Sequence, residues 1–330
     1  MDEESLSEGL SSSGIKSIDE IDKETIADLR AEYQTNGIVR LDLDSIKHLF
    51  PTASSLRRWT EEVAYESDLK KDDVLRTFET TAAGLRKLTR LEHFVHSHDG
   101  WRSFCDSGSP LSCLVGLVCN PGDSSSSTTS TATATATTTT AATTTAATSV
   151  PYPLYKEKLN LKPPLGSGFA PHLDAPSLKV VGLSSSFVTV MVAIDDMTIP
   201  NGCLRVVRGN WGESSAVECE EVNGSNPDGD GRRGAIPQNI ADELQWDPIT
   251  CKGGSVYVFN GWIPHRSAAN NTSFSRRAIF LTYNPAEDGE LRELYYDRMK
   301  SMRDEYKRNR GGGAAADALE EEDWLSTVPS

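Results

Sequence analysis

His172 and Asp174 stand two residues apart in Gly168-Phe-Ala-Pro-His172-Leu-Asp174-Ala-Pro176, and His265 follows 91 positions later (265 − 174). In extended chain, residues two apart leave the same face, so the imidazole and the carboxylate point together while Leu173 turns away. Two imidazoles and one carboxylate make an N,N,O donor set that occupies one face of a ferrous ion and leaves the opposite face open. Two open positions can chelate a 2-oxoacid and a third can bind dioxygen, which a fully ligated structural metal site could not do. A fold that uses this set must bring a distant strand back beside the first.

The third donor lies in Gly254-Ser-Val-Tyr-Val-Phe-Asn-Gly-Trp-Ile-Pro-His265-Arg-Ser267, a β-branched and aromatic run that reads as strand. Asn270-Asn-Thr-Ser273 is a turn signal, and Arg276-Arg-Ala-Ile-Phe-Leu-Thr-Tyr283 reads as the returning strand of a hairpin. Such a hairpin would fold an arginine back towards His265. A planar guanidinium can take the distal carboxylate of 2-oxoglutarate in a bidentate pair, with more orientation than a lysine provides. Period two sends Arg276 and Arg277 to opposite faces, and the spacing alone does not choose between them.

The His-x-Asp pair, the run from Thr189 to Gly209, the Pro264-His-Arg-Ser-Ala-Ala-Asn270 segment and the trailing arginine together resemble the phytanoyl-CoA dioxygenase family, over roughly residues 21–305. The resemblance implies an α+β chain built on a double-stranded β-helix (jelly roll, cupin-like), with supporting N-terminal helices and a C-terminal helix. It also implies Fe(II) as cofactor, 2-oxoglutarate as cosubstrate and dioxygen as oxidant, with His172, Asp174 and His265 as both catalytic set and metal ligands. The family places its 2-oxoglutarate arginine eleven residues past the second histidine, which selects Arg276. Ser267 resembles the small hydroxyl beside that carboxylate. Lys156-Glu-Lys-Leu-Asn160-Leu-Lys-Pro-Pro164 is similar to a strand of ectoine hydroxylase and its relatives whose asparagine contacts the cosubstrate, a role that falls to Asn160. Related halogenases carry a small residue at the aspartate position, so Asp174 favours hydroxylation.

Composition limits the partners. A net charge of −15 repels phosphate backbones and argues against nucleic acid. Six cysteines show no Cys-x-x-Cys and no short even framework, so they read as buried thiols in a reducing compartment. With no secretory signal and no run of 18 apolar residues, the expectation is a cytoplasmic enzyme that crosses no membrane. Its oligomeric state is left open.

Along the chain, residues 1–20 are acidic and serine-rich and read as a disordered tail, and residues 311–330 as another. Between them, residues 21–310 read as one domain. Residues 122–149 are almost wholly Ser, Thr and Ala, too poor in large apolar side chains to offset ordering entropy, and read as a disordered insertion. A helix is expected over Ile21–Thr35, a strand over Gly37–Leu43 and helices across about 55–107. Leu291, Leu294, Tyr295, Met299, Met302 and Tyr306 form a helical stripe that reads as core packing.

A rival metal cluster, His93, His96 and His98, would place two imidazoles on one helix face, yet no carboxylate-clamping arginine or β scaffold accompanies it. It reads instead as a helix end. The substrate is expected to be a small molecule. Lys156, Lys158 and Lys162 share one strand face with Asn160, and Arg232-Arg233 forms a basic loop, so a small anionic or zwitterionic metabolite such as a carboxylate or phosphonate is favoured over a CoA thioester. The alternative from another class is an iron- and 2-oxoglutarate-binding sensor that oxidises nothing.

Overall fold

A computed structural model describes residue 18 and residues 21–65, 74–80, 86–120, 150–178, 186–216 and 234–309. The 122–149 insertion, the 311–330 tail, nearly all of residues 1–20 and the Arg232-Arg233 loop lie outside the described residues. Helix α1 (Lys23–Asn36) begins where Asp22 accepts the Thr25 amide at 2.7 Å and ends at Gly37, whose φ of +68° suits glycine and whose Cβ would meet the Gly209 carbonyl at 2.5 Å. Strand β1 (Ile38–Arg40) and helix α2 (Ala53–Tyr65) follow. Next come β2 (Leu75–Thr80), β3 (Arg86–Glu92), α3 (Asp99–Cys105) and α4 (Pro110–Cys119). The second part of the chain carries β4 (Leu154–Lys162), β5 (Phe169–His172), α5 (Ala175–Leu178), β6 (Val188–Ala193), β7 (Leu204–Val206) and α6 (Gln238–Glu243). It closes with β8 (Asp247–Pro248), β9 (Val256–Asn260), β10 (His265–Ser267), β11 (Arg276–Tyr283) and α7 (Arg292–Asn309).

These strands form two antiparallel sheets, a seven-stranded one in the order β1-β9-β6-β11-β4-β3-β2 and a four-stranded one in the order β5-β10-β7-β8. Period two divides the large sheet cleanly. Val39, Val188, Val190, Val192, Val256, Val258, Ile279 and Leu281 pack outward with helical residues such as Leu29, Leu56, Trp101 and Leu114. Ile38, Met191, Ala193, Phe259 and Ala278 point the other way, packing with Leu204, Val206 and Ile263 of the small-sheet side. Each fully buried aliphatic side chain of this kind contributes about 1.5–3 kcal/mol, so the alternation holds the helices on one face and leaves the other to the site.

Four expectations change. The stretch expected to be helical across about 55–107 contains β2 and β3, because Leu91 and its neighbours pair with the buried β4 and so gain a sheet partner that local propensity does not show. The run from Gly254 to Ser267 is two strands in different sheets, with Gly261 to Pro264 between them. For the same reason β10 and β11 are no hairpin: β10 pairs with β5 and β7, while β11 pairs with β4 and β6. Arg276 therefore reaches the site across the gap between sheets. Leu291, just before α7, and Tyr295, Tyr296 and Met299 on it are buried, whereas Leu294 is exposed and leaves the expected stripe, and Tyr296 takes a core place instead. The side chain of Tyr306 lies outside the description. Among the described residues, no helix is long and apolar enough to cross a membrane, and the five described cysteines are free thiols.

Candidate active site

His172 ends β5 directly opposite His265 in β10, and their ring centroids are 4.1 Å apart. Asp174 lies in the bend that opens α5, where its carbonyl accepts the Ser177 amide at 3.0 Å. Its Oδ1 is 3.9 Å from His172 Nε2 and 3.8 Å from His265 Nε2. Each imidazole is fixed from behind: Nδ1 of His172 is 2.7 Å from the Ala170 carbonyl, and Nδ1 of His265 is 3.1 Å from the Ile263 carbonyl. A carbonyl only accepts, so both Nδ1 atoms donate and both Nε2 atoms are left to face Asp174.

The carboxylate is held in the same way. Thr189 donates its hydroxyl to Asp174 Oδ2 at 3.0 Å, while the buried Oδ1 accepts no hydrogen bond. Burial alone would raise this carboxyl, but His265, Lys158, His172 and Lys156 outweigh it and hold Asp174 well below the usual carboxylate range. A buried oxygen without a donor is costly, and here it faces the Nε2 atoms of two imidazoles. A divalent cation with bonds of about 2.1 Å resolves that arrangement, since two such bonds bridge gaps of this size. Among the described residues, this is the one group of three or more His, Cys, Asp or Glu side chains whose ligand atoms lie close enough to share an ion.

The floor of the cavity is a grid of paired residues on β3, β4 and β11. Arg90, Asn160 and Ala278 face one another in one rung, and Glu92, Lys158 and Phe280 in the next. Arg276 stands opposite Lys162. It is buried, donates to the Gly202 carbonyl and forms no ion pair among the described residues, and its Nε has no acceptor. Burial lowers its guanidinium to about 10. Arg277 faces away, bound to Asp195 at 2.8 Å and Glu61 at 3.3 Å. Ser267 lines the cavity and its hydroxyl accepts from Lys162 Nζ at 2.9 Å. Asn160 also lines it, with its Oδ1 buried and unpartnered.

Every expected site residue thus borders one cavity that opens partly to solvent. The three lysines of β4 separate in role despite their shared face: Lys156 donates to the Tyr295 hydroxyl at 3.1 Å, Lys162 to Ser267 and Ala268, and only Lys158 lines the cavity. Sequence reasoning missed Arg90, Phe169, Leu204 and Phe280 among the lining residues, and Thr189 behind Asp174. Phe280 could have been found by stepping in twos from Arg276. Arg90 could not, because its place depends on the pairing of β3 with β4.

The rival histidines diverge. His93 stacks on Tyr296 with centroids 4.0 Å apart. His96 meets Asp106 and Arg292, and His98 caps α3 by accepting the Trp101 amide while its Nε2 lies 2.7 Å from Glu62. They sit at a strand end and a 3₁₀ turn rather than on one helix face.

Two histidines on facing strands with an aspartate in the following bend make an N,N,O donor set, and with a buried guanidinium that forms no ion pair among the described residues in the same cavity they define an Fe(II)- and 2-oxoglutarate-dependent oxygenase. The phytanoyl-CoA dioxygenase (PhyH) family model matches residues 53–278, and the chain belongs to that family. It is 30% identical over 284 residues to the 2-aminoethylphosphonate dioxygenase of an uncultured bacterium, covering 86% of this chain and 90% of that one. It is also 30% identical over 250 residues to the methylphosphonate hydroxylase of Gimesia maris, covering 75% of this chain and 78% of that one. Among solved structures, EctD from S. alaskensis with 2-oxoglutarate and 5-hydroxyectoine superposes with a TM-score of 0.53 at 16% identity, covering 82% of this chain and 78% of that one. At that identity the likeness speaks for the fold alone. Fe(II) and 2-oxoglutarate are the cofactor and cosubstrate, and the chain is a dioxygenase.

Proposed function

We propose that this dioxygenase hydroxylates a C–H bond of a small phosphonate. The observation that carries the reading is the charge of the cavity: Arg90, Lys158, Arg266 and Arg276 line it against one carboxylate, Asp174, in a chain whose net charge is −15. Local positive potential in an acidic protein draws and holds compact anions. The chain's relatives named for 2-aminoethylphosphonate and methylphosphonate fit that charge.

In this reading His172, Asp174 and His265 hold the metal, with Thr189 and the two backbone carbonyls fixing their orientation. Arg276 and Ser267 take the far carboxylate of 2-oxoglutarate, and Asn160 offers its amide to the same molecule. Bound iron would supply the redox chemistry that couples oxidation of 2-oxoglutarate to succinate and carbon dioxide with insertion of one oxygen atom into the substrate. Phe169, Leu204 and Phe280 line the cavity with apolar surface and limit water there. The two sheets are read as the walls of a double-stranded β-helix, and residues 21–310 as one domain interrupted by 122–149. The free thiols suit a cytoplasmic location.

Succinate release in air, with Fe(II) and 2-oxoglutarate, should rise when 2-aminoethylphosphonate or methylphosphonate is added and stay at background with a long-chain acyl-CoA. Release stimulated by the acyl-CoA and by neither phosphonate would overturn the reading.

A further inference from the structure

Lys158 is the odd member of its row. Lys156 and Lys162 each donate to a hydroxyl, but the Lys158 ammonium, buried and in the cavity wall, makes no hydrogen bond or ion pair among the described residues. A buried cation without a partner is expensive unless an anion completes it. Its nearest charged relations point to where that anion would sit. Lys158 lines the same cavity as His172, Asp174 and His265. Arg90 occupies the adjoining rung on β3, a diagonal neighbour within reach of long side chains, and also lines the cavity. Its one ion pair among the described residues, to Glu92, is long at 3.4 Å.

Lys158 shares a rung with Phe280, four residues beyond Arg276 on β11, so the two backbones stand roughly 14 Å apart along the strands at about 3.4 Å per residue. Arg276, Lys162 and Ser267 gather at one end of that span, and Lys158 stands at the other.

We infer that Lys158 and Arg90 form the grip for the substrate's anionic headgroup, holding its phosphonate oxygens beside the metal site. This rests on the phosphonate reading above. The planar fork of Arg90 would orient two oxygens and the ammonium of Lys158 would neutralise the remaining charge.

Calorimetric titration under anaerobic conditions tests the assignment on wild type, Lys158→Gln and Arg90→Gln, each loaded with Fe(II). 2-Oxoglutarate is titrated first, then methylphosphonate or 2-aminoethylphosphonate. Lys158→Gln should bind both phosphonates at least tenfold more weakly than wild type and 2-oxoglutarate within twofold of it, with Arg90→Gln showing a loss of the same kind. Because the substitution removes an unpaired buried charge, the apo variant should melt no lower than wild type. Phosphonate affinity within twofold of wild type in Lys158→Gln, or an equal loss of 2-oxoglutarate affinity, overturns the grip and leaves the phosphonate reading standing. Failure of wild type to bind either phosphonate overturns both.

Discussion

Arg276 lies directly across from Lys162 in the ladder between β11 and β4, so two buried cations face one another on adjacent strands. Burial first, and then Arg276, push the Lys162 ammonium down to about 7 from an ordinary value of 10.5. Between those values the unfolded chain binds a proton that the folded chain does not, so this group makes stability rise with pH across the window from 7 to 10.5, and its full penalty applies below 7. Lys162→Met should therefore gain most relative to wild type near pH 6, and the gain should shrink towards pH 9. Urea unfolding of the apo proteins at both pH values measures it, and a gain that grows with pH would contradict the assignment.

The two neighbouring arginines should separate by function. Arg276→Ala removes a buried charge-assisted partner, a loss of about 2–5 kcal/mol, and should weaken 2-oxoglutarate binding tenfold or more. Arg277→Ala breaks pairs to Asp195 and Glu61 on the other face, so it should leave 2-oxoglutarate affinity close to wild type. Binding isotherms of both variants settle which side of β11 faces the cosubstrate.

What could be read in advance follows from how local each signal is. His172 and Asp174 are close in sequence, and the period-two rule that paired them needs no knowledge of the fold. Arg276 lines the cavity with His265, yet not by way of a hairpin, because a turn between two strand-like runs looks the same whether the runs pair with each other or enter different sheets. β10 and β11 take the second course. Arg90 and the strand character of β3 were invisible because both depend on pairing with β4, some 70 residues away (160 − 90). The alternation of Lys156, Lys158, Asn160 and Lys162 was legible as a shared face, but their division among Tyr295, Ser267 and the cavity was not, since those partners come from β10, α7 and empty space.

Thr189 supports Asp174 from behind. Thr189→Val keeps the shape but removes the donor to Oδ2, and loss of such support typically costs 10–100-fold in metal affinity. Fe(II) titration of the variant should show a drop within about that range, with secondary structure unchanged by circular dichroism.

Glu157 fastens α7 to the sheet. Its carboxylate is fully buried, 2.6 Å from Arg292, and accepts the Phe94 and Val95 amides at 2.8 and 2.9 Å. Glu157→Ala strands a buried guanidinium and two amides, so unfolding free energy should fall by about 3–5 kcal/mol. Chemical denaturation reads this directly. A loss under about 1 kcal/mol would show that the pair is not formed in solution.

The central claim, that His172, Asp174 and His265 hold a ferrous ion that works with 2-oxoglutarate, is tested most directly by iron-dependent conversion of 2-oxoglutarate to succinate. The comparison is wild type against Asp174→Ala at equal iron, with a phosphonate present. Wild type should release succinate only when Fe(II) is supplied and Asp174→Ala should release none above background. Equal succinate from both proteins, or release from wild type stripped of iron, would contradict the account.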